Sequence, residues 1–153
     1  VEITADETWD ATYPYQIFDS LVVAPGATLR LDPGVRLHFH DGAYMAVYGS
    51  LICDGTPQHN VELSGDRTDN VVGDISFDLM ASQWNGLRFS PESRGNMLSH
   101  TIVRNTVSGV SLDSLSAVTM VNCATRPATH SPPVTPRSGY MDAKWPRHLM
   151  ARC

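Results

Sequence analysis

The chain has 153 residues, 42% of them hydrophobic and 18% charged, which suits one domain with a real core. A formal charge of −5, with Lys144 the one lysine, argues against nucleic acid as a partner, because phosphate binding needs a basic stripe. No apolar run has the length of a membrane span, and the opening Val1-Glu2-Ile3 carries no secretory signal.

Residues 1–19 open with a strand-like Val1–Thr4 and continue through Trp9, Tyr13, Tyr15 and Phe18. They are expected to form an N-terminal cap, since the first coil of a solenoid has nothing stacked beneath it. From Ser20 to Asp66 short alternating runs are cut by turns. Leu21–Val23 ends at Pro25-Gly26, and Thr28–Leu31 ends at Asp32-Pro33-Gly34. Alternation points Leu29, Leu31, Val35, Leu37 and Phe39 inward, with Arg36, His38 and His40 outward. Ala43, Met45, Val47, Leu51, Cys53, Val61 and Leu63 continue the inward set around turns at Asp41-Gly42 and Asp54-Gly55.

Runs this short make poor hairpins, which want longer paired strands. Each run instead pairs with its equivalent one coil later. Thr28-Leu29-Arg30-Leu31-Asp32 matches Ser50-Leu51-Ile52-Cys53-Asp54 at a spacing of 22 residues, and Gly86-Leu87-Arg88-Phe89 matches Gly109-Val110-Ser111-Leu112 at 23. The predicted fold is therefore all-β, a right-handed parallel β-helix of about four coils over 20–123. Residues 67–82 break the rhythm and read as a loop insertion. Asn122 is a candidate for an inward-facing stacked amide.

Composition shifts at residue 124. Residues 1–123 carry a net charge of −9, residues 124–153 one of +4, and five of the ten prolines fall in that tail. The prolines forbid ladders, so 124–153 is expected to be irregular, disordered or non-native.

Pro25-Gly26-Ala27-Thr28-Leu29, Asp32-Pro33-Gly34-Val35, Val47-Tyr48-Gly49-Ser50-Leu51, Gly55-Thr56-Pro57 and Gln83-Trp84-Asn85-Gly86-Leu87 resemble right-handed parallel β-helix repeat proteins of Bacteroidetes. The resemblance covers about 17–123. It implies a secreted or surface-anchored lipoprotein type, mostly without assigned activity, and an extracellular or outer-surface location.

Chemistry-bearing residues are sparse. His38 and His40 share one side of a strand but lack a third metal ligand. Asp66, Asp69, Asp74 and Asp78 carry carboxylates suited to calcium, without the ordered spacing of an EF-hand. Cys53, Cys123 and Cys153 make no metal or disulfide pattern, and Cys53 and Cys123 read as buried thiols. The Asn-x-Asp, Asp-Asp, Gly-His-Gly and Arg-x-Lys clusters of pectin hydrolases are absent, and no Gly-x-Ser-x-Gly elbow occurs. The expectation is a non-catalytic extracellular or surface module, without cofactor, binding a glycan or protein through Trp84, Arg88, Arg67, Asp69, Asp74 and Asp78. The alternative is a polysaccharide lyase, a glycoside hydrolase or a fragment of one. An open solenoid end also offers a route to self-association.

Overall fold

A computed structural model of the chain describes residues 1–67, 70–72, 75–76 and 82–126. Those residues hold strands and turns and no helix. The first coil contains β1 (Glu2–Ile3), β2 (Glu7–Trp9) and β3 (Tyr15–Ile17), and the second β4 (Ser20–Val23), β5 (Thr28–Leu31) and β6 (Arg36–Phe39). The third contains β7 (Tyr44–Val47), β8 (Ser50–Asp54) and β9 (Val61–Gly65). After an antiparallel pair, β10 (Asn70–Val72) and β11 (Ile75–Ser76), come β12 (Gly86–Phe89), β13 (Asn96–Ser99) and β14 (Thr101–Arg104). A fifth coil contains β15 (Val110–Leu112), β16 (Val118–Val121) and β17 (Ala124–Arg126).

Three parallel sheets result, each of five strands: β1-β4-β7-β12-β15, β2-β5-β8-β13-β16 and β3-β6-β9-β14-β17. The protein is a parallel β-solenoid. Leu29 pairs with Leu51, and Leu87 with Val110, as their spacing predicts. Parallel neighbours in register place like over like, so each inward column is continuous along the axis. One runs Ile3, Val23, Val47, Phe89; another runs Leu31, Cys53, Leu98. Every residue assigned inward from Leu29 to Leu63 is buried to within 2% of its surface. The outward rows carry Arg30–Asp54, Glu62–Arg104 and Arg88–Asp113, three ion pairs that each join one coil to the next. Being exposed or half-exposed, such pairs add little stability each but favour the native register over a slipped one.

Three expectations are corrected. Residues 1–19 are more than a cap. They form the first coil, with Ile3 and Ile17 buried, while the stacked rings of Trp9 and Tyr15, 4.4 Å apart, cover its end. The solenoid also runs past residue 123, because β17 pairs with β14 through Arg126. Asn122 does not face the core. It is exposed at a corner with φ +50°, directly above His100 at φ +42°, and its amide meets His100 Nε2 at 3.1 Å. The left-handed conformation turns the chain there, and Asn and His tolerate it better than bulkier residues.

Among the buried polar residues, Thr101 and Asn96 stand in the apolar columns. Thr101 lies over Val61, its hydroxyl donating to Ser99 O at 3.1 Å. Asn96 fills the place above Leu51. Its Oδ1 accepts from Leu51 N at 2.9 Å, and its Nδ2 donates to Ser93 Oγ at 2.6 Å and to Ala117 O at 3.1 Å. A buried amide with its donors and its acceptor satisfied costs little and fixes one local arrangement.

Candidate functional site

Sheet one turns its outer face to solvent. Because Met45 and Val47 of β7 point inward, Tyr44, Ala46 and Tyr48 point outward. The register then puts Gly86 beside Tyr44, Arg88 beside Ala46, and Ser111 beside Arg88. Small residues at Ala46 and Gly86 leave a trough between larger neighbours. The result is an open groove of about 580 Å³, with Tyr44 and Tyr48 standing 43% and 42% exposed at its margin. A smaller depression of about 250 Å³ extends it past Tyr48 and Arg88 to Ser90 and Pro91.

Glycine is required at position 86. Its φ is +111°, and an added Cβ would lie 2.5 Å from Gly109 O and 2.8 Å from Ser108 Oγ. The fourth and fifth coils therefore approach more closely here than any side chain at 86 permits.

The polar lining comes from three places in the chain. Arg88 Nε and Nη2 donate to Asp113 Oδ2 at 2.9 and 2.7 Å. That hydrogen-bonded carboxylate raises the Arg88 pKa above its ordinary value. Asn85 is held by its backbone N–H to Ala43 O at 2.8 Å and by Nδ2 to Gly42 O at 2.7 Å, which leaves its Oδ1 as an acceptor. Ser108 Oγ donates to Asn85 O at 2.5 Å, tying the fifth coil to the fourth beside the trough.

Of the residues proposed from sequence, Arg88 lies in this groove and Trp84 does not. Trp84 is fully buried, its ring stacked on Phe39 at a centroid distance of 4.1 Å and its Nε1 donating to Arg104 O at 2.8 Å. Gly65 makes room for that corner: Gln83 occupies the space where a Cβ would stand, and Trp84 follows it inward. Its place as a ligand platform is withdrawn, since a ring that closes the core offers no face to solvent. Arg67 sits at the root of the insertion, its backbone N–H 3.4 Å from Gln83 Oε1, and does not line the groove. Asp69, Asp74 and Asp78, expected to bind a ligand or calcium, lie outside the described residues.

The remaining clusters are occupied by structural contacts. Asp66 Oδ2 meets His40 Nδ1 at 2.7 Å and accepts from Gln16 Nε2 at 3.1 Å. His38 Nδ1 lies 3.1 Å from Ser64 Oγ, but Ser64 is buried, so this pair presents no accessible nucleophile. Among the described residues no group of three His, Cys, Asp or Glu is placed to hold a metal ion. No helix there is long and apolar enough to cross a membrane. The thiol of Cys53 is pushed far up in pKa by burial, only partly offset by its contact with the Thr101 hydroxyl, and is inert as a nucleophile.

Tyr44, Tyr48, Asn85 and Asp113 were not singled out in the sequence. A signal for the first two existed: once Ala43, Met45 and Val47 are inward, a Tyr-x-Ala-x-Tyr row is outward and its small centre is a gap. Comparison of the chain with protein-family models, with curated proteins and with solved structures finds no match.

Proposed function

We propose that the protein is a non-catalytic binding module that holds a glycan in the groove of sheet one. The observation that carries this reading is the pairing of two exposed tyrosines with a trough floored by Ala46 and Gly86 and edged by Arg88, Asp113 and Asn85. A sugar ring has an apolar C–H face and a rim of hydroxyls. Tyrosine offers an amphipathic ring to the first, and fixed amide and carboxylate oxygens accept from the second. The strands beneath are locked into three parallel sheets, so little ordering cost falls on binding. On this reading the module works outside the cell or on its outer surface, as its resemblance to surface β-helix proteins implies.

Hydrolysis is the weaker reading. Two-carboxyl glycosidases need a facing pair. Among the described residues the groove holds one carboxylate, Asp113, and Arg88 already binds it.

Calorimetric titration with a panel of oligosaccharides tests the proposal. At least one class should bind, and Tyr44→Ala or Tyr48→Ala should each weaken it about fivefold, the value of roughly 1 kcal/mol of ring surface left uncovered. Both variants should melt with the wild type, because both rings point away from the core. A panel with no binder, or a double variant that binds unchanged, sinks the proposal.

A further inference from the structure

We infer that the groove selects uncharged sugar chains and rejects uronates and sulfated sugars, with Asp113 as the residue that sets this choice. The inference rests on the glycan reading and adds to it the class of glycan. Among the described residues Arg88 is the one cation lining the groove, and both donors it uses go to a single oxygen, Asp113 Oδ2. Three further guanidinium N–H groups face solvent, but an anionic sugar that took them would lie beside the Asp113 carboxylate, a like charge that offsets the attraction. Like charges placed together in this way act as a device against the wrong ligand.

Two acceptors at the margin of the groove favour the same class. Asp113 Oδ1 carries no hydrogen bond among the described residues, and Asn85 spends its Nδ2 on Gly42 O and keeps Oδ1. Both are acceptors. A neutral sugar answers them with hydroxyl donors, whereas a carboxylate or sulfate brings further acceptors. Asp113 reaches the groove from the turn after β15, and its backbone N–H donates to Phe89 O at 3.0 Å, so the coil stack itself holds it beside Arg88.

The test uses matched ligands that differ only in charge: a neutral oligosaccharide that binds, its C6-oxidised uronate, and the methyl ester of that uronate. For the full chain the neutral sugar and the ester should bind alike, and the uronate about tenfold or more weaker, a gap that narrows with salt. Asp113→Asn removes the negative charge and frees Arg88. It should raise uronate affinity at least tenfold and leave the melting temperature nearly unchanged. Arg88→Gln should give no such gain. A wild-type protein that binds the uronate as well as the neutral sugar overturns the selectivity while leaving the glycan reading intact. So does an Asp113→Asn variant with an unaltered preference. Failure of every sugar to bind overturns both together.

Discussion

Replacing Leu51 by alanine tests the coil stack at its centre. Leu51 is fully buried in β8, over Leu29 of the second coil and under Asn96 of the fourth. Leu→Ala in a core costs about 2–5 kcal/mol, the spread reflecting how far the site can collapse. Collapse is restricted here. Ladder hydrogen bonds hold the coils about 4.8 Å apart along the axis, and Leu51 N is further tied to Asn96 Oδ1. The loss should therefore fall in the upper part of the range, roughly 3–5 kcal/mol, a large share of the ~5–15 kcal/mol that domains possess. In thermal unfolding followed by circular dichroism it should lower Tm by roughly 6–20 °C. The control is Ile52→Ala, one residue along and on the outer row between Arg30 and Met97, which should cost under about 1 kcal/mol. Equal losses for the two variants would refute the alternation on which every inward assignment stands.

Asn96→Leu would extend the leucine column yet should destabilise by about 2–4 kcal/mol in urea unfolding, because Leu51 N–H and Ala117 O lose their buried partner. Gly86→Ala should cost more than about 2 kcal/mol, from a φ of +111° and a Cβ driven against Gly109 O; a neutral result in thermal melts would mean the coils are spaced differently there. Cys53 titrates higher in the folded chain than in the unfolded one. Its contribution is thus fully present below the ordinary thiol pKa of 9.0 and is lost progressively as pH climbs above it. Stability curves of the wild type and Cys53→Ala should accordingly converge at alkaline pH, and native Cys53 should resist thiol reagents until the chain unfolds.

Much of the solenoid was legible because its information is short-range. Leu29-Arg30-Leu31 and Val35-Arg36-Leu37 declare their faces by alternation alone, and Asp-Gly and Pro-Gly pairs mark the corners. Position 96 was less legible, since an asparagine at an inward step looks polar and outward until Ser93, Ala117 and Leu51 N are known to surround it. The first coil was obscured for a similar reason. An end coil is covered on one side only, so its sequence mixes buried Ile3 and Ile17 with exposed neighbours and blurs the period.

The sequence by itself determined the all-β class, the period near 22 residues and the inward set from Leu29 to Leu63, because pleat and turn chemistry act between near neighbours. Only the tertiary structure decided where a ligand has room. The groove joins Tyr44 and Tyr48 to Arg88 and to Asp113, residues from three different coils, and which of them touch depends on stacking register. The same stacking took Trp84 out of contention, since a corner ring packs inward when the residue beneath it is Phe39 and the neighbouring place is Gly65.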